Sequence, residues 1–153
     1  MEVIRNLQPT NNFLENVREL ATQNNIVLVF DECTSGFREN FGGIHLNYKV
    51  YPDIAIFGKA LGNGYAITAV VGKRNTMEAA QNSFISSTFW TERIGASAAL
   101  KTLELMEQNK SWEVITNIGK KIRKIWLDIS DSHDLNINIS GLLALSSLSL
   151  IHI

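Results

Sequence analysis

An acid and a lysine follow two apolar runs in the first half of the chain. The first run, residues 26–30, ends at Asp31, and the second, residues 53–57, is followed by a glycine and Lys59. In an open α/β sheet, ligands bind just beyond the carboxyl ends of the strands. Desolvation at such a place disfavours the ammonium form of a lysine, and a neutral amine is the nucleophile of Schiff-base chemistry. The pair therefore predicts a cofactor that carries a ring nitrogen and an aldehyde.

Each of the two residues alone has a simpler interpretation. Lys59 taken alone is a surface lysine at a strand end, and Asp31 could be a helix N-cap or a metal ligand. An unpaired buried acid is costly, so a buried Asp31 needs a cationic partner, which a protonated pyridine nitrogen would supply. The two residues in this context are more specific than either by itself.

Composition and charge limit the kinds of partner. The 153 residues fit one domain, 45% of them are apolar, and a net charge of −1 provides no field that would attract nucleic acid or a membrane. The single cysteine, Cys33, excludes an internal disulfide and fits a reducing cytosol. Three histidines and this cysteine lack the spacing of metal ligands. We therefore expect a cytoplasmic protein with a small-molecule substrate, and no metal, nucleic-acid or membrane partner.

The hydrophobic pattern predicts an α/β fold. Strands are expected over 26–31, 53–57 and 66–72, helices over 12–24, 74–81, 93–107 and 111–128, and a strand or hairpin over 137–151. The spacing of Asn12 and Glu15 is typical of a capping box at a helix start. The 26–31 run is expected to be a strand buried on both faces. Glycines within 33–52 indicate an irregular loop at the site.

Two segments resemble a known family. Residues 28–38 (LVFDECTSGFR) resemble the DE-x-x-x-GFR segment of class III aminotransferases, which are pyridoxal-phosphate enzymes of fold type I. Residues 51–64 (YPDIAIFGKALGNG) are similar to the family's PD…GK-x-(L/I)-G-x-G segment, and residues 87–89 to its G-T-F/L loop. Within the class, the resemblance is strongest to the glutamate-1-semialdehyde aminomutase group.

This resemblance assigns roles to four residues. Asp31 would keep the pyridine nitrogen protonated, which makes the ring an electron sink, and Lys59 would hold the cofactor as a Schiff base and later transfer protons. Cys33 stands where the family has a small branched apolar residue packed on the ring. Thr88 would bind the phosphate of the cofactor in the neighbouring subunit, which implies a homodimer.

The resemblance also implies how the chain is divided. Residues 1–107 would be the C-terminal part of the large, three-layer α/β/α cofactor domain, and residues 108–153 a connecting helix and the beginning of a small C-terminal domain. The upstream phosphate-binding turn, the aromatic residue that stacks on the ring and the N-terminal arginine for the substrate carboxylate do not appear. Residues 90–93 (WTER) replace the family's small Gly-Asn-Pro run. The chain therefore resembles a fragment of such an enzyme.

Three functions remain open at this stage. The first is transfer of an amino group by an aminotransferase or aminomutase through Lys59. The second is a catalytically inactive, truncated fragment that binds the cofactor weakly or only pairs with other subunits. The third is a nucleotide-binding α/β module, which tighter binding of a nucleotide than of pyridoxal phosphate would support.

Overall fold

The computed structural model describes residues 8–88 and 91–150. The described part of the chain contains helices and strands in mixed order. The α-helices are α1 (Phe13–Gln23), α2 (His45–Tyr48), α3 (Arg74–Met77), α4 (Ile94–Asn109) and α5 (Ser111–Ser132). The strands are β1 (Val29–Asp31), β2 (Ile54–Phe57), β3 (Ala69–Gly72), β4 (Ile137–Ser140) and β5 (Ser147–Leu150), and 3-10 turns cover Lys59–Leu61, Glu78–Asn82 and Leu143–Leu145. No described helix is both long and apolar enough to cross a bilayer.

The first three strands form one sheet in the order β1-β2-β3. β1 and β2 are parallel, with Val29 opposite Ile54 and Asp31 opposite Ile56, whereas β3 is antiparallel to β2. Because parallel strands end at the same edge of a sheet, the segments that follow β1 and β2 emerge side by side. This pairing is what brings Asp31 and Lys59 to a common edge.

The prediction for the first strand is partly wrong. The N–H of Ile26 donates a hydrogen bond to the carbonyl of Ala21 in α1, so the strand begins only at Val29. Val29 is 45% exposed, which contradicts burial on both faces. A parallel strand is buried only where other elements cover it, and within the described residues β1 pairs with β2 alone.

The start of α1 also differs from its prediction. Asn12 adopts a left-handed conformation, with φ of 53°, and its side chain makes no capping hydrogen bond. Asparagine tolerates that conformation better than most residues. The helix itself is confirmed, but the capping box is not.

The core lies where α4 covers β2 and the turn after it. Ala55, Phe57, Leu61 and Ala99 are buried together, and Leu103 packs against them. The start of α4 is held by the carboxylate of its preceding glutamate, which accepts the first helical N–H groups. α4 therefore fixes the turn that begins with Lys59.

α5 supports the second sheet, the antiparallel hairpin of β4 and β5. Arg123 donates to the hydroxyl of Ser146 at 2.6 Å and to the carbonyl of Gly141 at 2.5 Å. The predicted apolar face of this helix is only partly covered. Its half-buried members are Trp112, Ile115 and Trp126, and its exposed members are Ile118, Ile122 and Ile129. The predicted division of the chain at residues 107/108 stays a prediction.

Candidate functional site

Lys59 lies directly after β2, in a 3-10 turn that covers residues 59–61. Its side chain is exposed, so the expectation that burial would desolvate the amine is wrong for the described structure. The Nζ atom donates a hydrogen bond to the hydroxyl of Thr34, with 2.5 Å between Nζ and Oγ1. Sequence reasoning did not select Thr34. Its position, three residues beyond Asp31 at the same sheet edge, was the available signal.

Asp31 lies at the end of β1 and is also exposed, which contradicts the expected burial. Its Oδ1 accepts a hydrogen bond from the backbone N–H of Cys33 at 3.0 Å. That hydrogen bond, together with one from the Cys33 thiol and the nearby charge of Lys59, holds the pKa of the Asp31 carboxyl below its ordinary value. An ionised carboxylate is the form that pairs with a cation or a protonated ring nitrogen.

Cys33 is half-buried between the two strand ends. Burial raises the pKa of its thiol, and the hydrogen bond to Asp31 raises that pKa further. The loop that carries Cys33 closely approaches the segment after β2, because a Cβ on Gly58 would lie 3.3 Å from Cys33 Sγ and 3.4 Å from Thr68 Cγ2. The thiol is therefore a neutral, closely packed group beside Asp31.

Thr88 lies in a turn and is exposed. Its neighbour Ser87, rather than Thr88, lines a cavity with Lys59. The structure thus brings together Asp31, Cys33 and Lys59, and Thr88 is not in the wall of either described cavity that borders Lys59. The residues that follow in the predicted loop, 89 and 90, lie outside the described part of the chain.

Among the described residues, Lys59 and Asp31 border cavities. Lys59 borders one of about 700 Å³ that also has Thr68 and Ser87 in its wall, and another of about 690 Å³ that includes Arg38. Asp31 borders a third, of about 610 Å³, with His45. Each volume is within the usual range for a small-molecule site. Asp31 and Lys59 therefore lie at the same sheet edge but border different cavities.

Glu32 follows Asp31 and is buried, with 2% of its surface exposed. Its Oε2 accepts from the Ser35 hydroxyl and from the Ile44 N–H at 3.0 Å. Its Oε1 accepts from the His45 N–H at 3.0 Å and faces His45 Nδ1 at 2.9 Å. A Cβ on Gly43 would overlap His45 and lie 2.9 Å from Glu32 Oε1, so glycine is what permits this approach.

These hydrogen bonds give the loop after β1 its shape. Consecutive side chains of a strand point in opposite directions, so anchoring Glu32 inward directs Asp31 outward, where it is exposed. The same anchoring closes the loop that carries Thr34 toward Lys59. Sequence reasoning assigned no role to Glu32. The donors it meets are up to 13 residues away, and only the fold brings them to it.

The side chains at this sheet edge provide two reactive groups. It offers a primary amine on Lys59 for nucleophilic attack or proton transfer, and an ionised carboxylate on Asp31 for pairing with a cation. The hydroxyl of Thr34 provides a hydrogen-bonding partner beside the amine.

Comparison with known proteins places these residues in a family. A family model described as "Aminotransferase class-III" matches residues 6–150. The 3-aminobutyryl-CoA aminotransferase of Cloacimonas acidaminovorans (strain Evry) is 40% identical over 134 residues, which cover 87% of this chain and 32% of that protein. The glutamate-1-semialdehyde 2,1-aminomutase of Methanosphaera stadtmanae is 32% identical over 136 residues, which cover 87% and 32%. The chain thus spans about a third of the length of the curated relatives it matches.

Solved structures show the same fold. The FumI protein of Sphingopyxis sp. MTA144, in a form carrying PLP, superposes with a TM-score of 0.85 at 25% identity, over 89% of this chain and 33% of that one. An omega-transaminase from Sphaerobacter thermophilus has a TM-score of 0.83 at 24% identity, over 95% and 34%. The predicted α/β class and the fold type I architecture are confirmed.

Proposed function

This chain belongs to the class III aminotransferase family, and we propose that it carries the lysine and the acid of a pyridoxal-phosphate site that transfers amino groups. One observation supports this above all others. The parallel pairing of β1 and β2 delivers Asp31 and Lys59 to one sheet edge, where α/β proteins bind ligands. The members of this family are enzymes. Because the chain covers about a third of the length of its relatives, the catalytic activity of the whole protein is part of the proposal.

The residues at this edge fit pyridoxal phosphate. Lys59 offers an exposed Nζ for a Schiff base, and Asp31 offers a carboxylate whose lowered pKa keeps it ionised for the ring nitrogen. When bound, the cofactor supplies an aldehyde and a pyridine ring that withdraws electrons from the substrate carbon. Asp31 would hold the proton on the ring nitrogen, and Cys33 would pack beside the ring.

Lys59 has a second role once a substrate amine takes its place. Its Nζ would then accept the proton from the substrate carbon and pass it to the cofactor carbon that carried the aldehyde, as general acid–base catalysis requires. The hydroxyl of Thr34 keeps this amine at the sheet edge through its hydrogen bond. The reaction is transfer of the amine from a donor to a carbonyl acceptor. We favour aminotransferase over aminomutase because the aminotransferase relative is 40% identical and the aminomutase relative 32%.

A homodimer is a further part of the proposal. Thr88 is exposed in a turn, so its hydroxyl is available to the cofactor phosphate of a neighbouring subunit. Phe84 and Ile85, in the same segment, are 94% and 56% exposed. Exposed apolar side chains that cluster near one another are typical of protein interfaces. The single cysteine also supports a reducing compartment such as the cytosol.

Reductive trapping tests the proposal directly. The protein is incubated with pyridoxal phosphate, reduced with borohydride and digested, and the pyridoxyl group is mapped by mass spectrometry. We expect the label on Lys59, no label in Lys59→Ala, and an unchanged label on Lys59 in Lys120→Ala, which removes an exposed lysine of α5. Absence of the label from Lys59 in the unmodified protein contradicts the proposal.

The second candidate is an inactive chain that binds the cofactor weakly or pairs with other subunits. It is favoured by the exposure of both Asp31 and Lys59, since active sites usually exclude water. A half-reaction separates the two candidates. It uses protein that is loaded with pyridoxal phosphate but not reduced. In an active protein an amine donor changes the visible absorption, whereas in the inactive chain the separate trapping experiment still labels Lys59 and the donor changes nothing.

A further inference from the structure

The turn that begins at Lys59 is followed by the one Asn-Gly pair of the chain, Asn63-Gly64. Both residues are exposed. Within the described part of the chain, the side-chain amide of Asn63 makes no hydrogen bond and the backbone N–H of Gly64 has no acceptor. The side-chain carbonyl carbon of Asn63 and the backbone nitrogen of Gly64 are therefore neighbouring groups that solvent can reach.

The backbone of this pair leaves the nitrogen of Gly64 open to reaction. Asn63 has a φ of 46° and Gly64 a φ of 102°. Asparagine tolerates the left-handed region better than most residues, and glycine adopts a positive φ without a steric penalty. A Cβ built on Gly64 would meet nothing within 4 Å. Neither a side chain on Gly64 nor a neighbouring group above its Cα therefore shields this nitrogen.

We propose that Asn63-Gly64 is a site of spontaneous deamidation, and that this modification weakens the attachment of the cofactor to Lys59. The second part rests on the proposed function of Lys59. The backbone nitrogen of Gly64 loses its proton to hydroxide and forms a bond to the side-chain carbonyl carbon of Asn63. The bond from that carbon to Nδ2 breaks, and Nδ2 takes a proton from water and leaves as ammonia. A five-membered imide remains, which water then opens, so an amide and water become a carboxylic acid and ammonia without oxidation or reduction.

The imide gives two products that differ in the length of the backbone. Opening at the former side-chain carbonyl restores the normal peptide bond and gives aspartate. Opening at the main-chain carbonyl gives isoaspartate, in which the chain runs through the former side chain and is longer by a carbon atom. The N–H of Tyr65 donates to the carbonyl of Gly62 at 3.0 Å across this position. The longer backbone cannot keep that turn.

The turn is packed too closely to change without moving its neighbours. A Cβ on Gly62 would lie 2.1 Å from the carbonyl oxygen of Tyr65 and 2.8 Å from Ile67 Cγ2. The carbonyl of Lys59 accepts the N–H groups of Gly62 and Asn63, at 3.2 and 3.1 Å. Tyr65 and Ile67 also line the cavity of about 700 Å³ that Lys59 borders. We therefore expect isoaspartate to displace both the backbone of Lys59 and the wall of its cavity.

Asn82-Ser83 provides a matched comparison within the same chain. Both of its residues are exposed, and serine is also a small residue. The N–H of Ser83, however, donates to the carbonyl of Ala80 at 3.1 Å, which holds the nitrogen that would have to attack. We expect the folded protein to modify Asn63 and to spare Asn82, and we expect unfolding in urea to accelerate modification of Asn82 more than that of Asn63.

Peptide mapping tests the modification itself. The protein is kept for several days without cofactor, at mildly alkaline pH in ¹⁸O-labelled water, and is then digested with trypsin. Trypsin releases residues 60–73, in which Asn63 is the only asparagine. Electron-transfer fragmentation in the mass spectrometer distinguishes isoaspartate from aspartate. We expect Asn63 to lose its amide and gain ¹⁸O while Asn82 stays intact. An intact Asn63, or equally fast modification of Asn82, overturns the proposal.

Titration with pyridoxal phosphate tests the consequence for Lys59. We expect protein aged in this way to bind the cofactor roughly fivefold more weakly than fresh protein, the scale of one lost hydrogen bond. Asn63→Gln is the control, because its side chain would have to close a six-membered ring, which forms more slowly. Ageing should leave the affinity of this variant unchanged. Equal losses in both proteins, or isoaspartate without any loss of affinity, overturn the link to Lys59.

A comparison within one sample needs no variant. Trypsin does not cleave after a pyridoxyl-lysine, so chains labelled on Lys59 release residues 50–73 as one peptide, which contains Asn63 as its only asparagine. After reduction at limiting cofactor, we expect isoaspartate to be scarcer in this peptide than in the unlabelled peptide 60–73. Equal isoaspartate in both peptides counts against the link. A missing label on Lys59 in fresh protein refutes the proposed function instead, so the two failures are distinguishable.

Discussion

The ammonium group of Lys59 donates a hydrogen bond to the hydroxyl of Thr34, with 2.5 Å between Nζ and Oγ1. The two residues are 25 positions apart, and they meet because β1 and β2 end at the same sheet edge. The contact orders the side chain that our proposal makes the cofactor's attachment point. An ordered side chain loses less conformational entropy when it binds.

Replacing this hydroxyl tests whether the contact supports the site. We expect Thr34→Val to lower the affinity for pyridoxal phosphate by roughly fivefold, which corresponds to one hydrogen bond of about 1 kcal/mol. Thr34→Ser keeps the hydroxyl and is the matched control, with an affinity close to that of the unmodified protein. The measurement is a spectroscopic titration with the cofactor. Equal affinities of the valine and serine variants would show that the contact is incidental.

The hydrogen bonds of Glu32 predict that the isosteric change to glutamine destabilises the protein. Ile44 N–H donates to one carboxylate oxygen and His45 N–H to the other. In Glu32→Gln, the amide NH₂ must therefore face one of these backbone donors, whichever way it is turned. We expect a loss of roughly 1–3 kcal/mol in the free energy of unfolding, measured with urea, because a buried donor loses its acceptor.

The control for this variant is Glu104→Gln, an exposed position on α4. We expect it to leave the free energy of unfolding close to that of the unmodified protein, because Glu104 forms only a surface ion pair. If Glu32→Gln is as stable as Glu104→Gln, the carboxylate of Glu32 does not organise the loop.

The contacts of Asp53 predict that the protein loses stability at acidic pH. Its carboxylate lies 2.8 Å from both Lys73 Nζ and Arg18 Nη1 and accepts the N–H of Leu28. The hydrogen bond from Lys73, then those from Leu28 and Arg18, place the pKa of Asp53 far below its ordinary value. A lowered folded-state pKa stabilises the protein above the unfolded-state value, and this stability is lost as the pH falls below it.

We therefore expect Asp53→Asn to cost roughly 1–3 kcal/mol of unfolding free energy at pH 7. The difference from the unmodified protein should stay constant down to about pH 5 and shrink below about pH 4, near the ordinary aspartate pKa. Lys73→Ala should cost less than about 1 kcal/mol, because its side chain is half exposed. A difference that is independent of pH down to pH 3 would contradict the assignment.

The pKa of the Cys33 thiol depends on the charge of Asp31. Burial is the main cause of its raised pKa, and the hydrogen bond to the Asp31 carboxylate and its negative charge add to it. Asp31→Asn removes the charge, so we expect the pKa of the thiol to fall and its alkylation by iodoacetamide at pH 8 to become faster. Because the chain has one cysteine, the modified site is unambiguous. The exposed Asp128→Asn variant on α5 should leave the rate unchanged, and an equal rate in Asp31→Asn would refute the coupling.

Gly119 permits the close packing of the hairpin segment against α5. A Cβ there would overlap the carbonyl of Leu143. Alanine is favoured over glycine in a helix by about 1 kcal/mol, yet we expect Gly119→Ala to lower the free energy of unfolding. Asn117→Ala, at an exposed position of the same helix, should be neutral or stabilising. Urea unfolding followed by tryptophan fluorescence measures both, and a gain in stability for Gly119→Ala would contradict the observed packing.

Several elements could be predicted because their signal is local. A strand over 53–57, helices over 93–107 and 111–128, and a strand or hairpin over 137–151 were expected from the pattern and content of apolar residues. The structure confirms the strand and both helices, and has a hairpin in the last segment. The first strand was expected to be longer and buried on both faces. That error arose because a continuous apolar run predicts burial but does not tell which elements cover it.

The sequence by itself determined that an acid and a lysine end two strands of an α/β fold and that their surroundings resemble a class III aminotransferase. Those properties depend on residue order alone. The tertiary structure decided that Lys59 meets Thr34, that Glu32 gathers the backbone donors of Ile44 and His45, and that Arg38 Nε is buried without a partner among the described residues. These relationships depend on distances between atoms that folding alone brings together, so spacing along the chain carries little information about them.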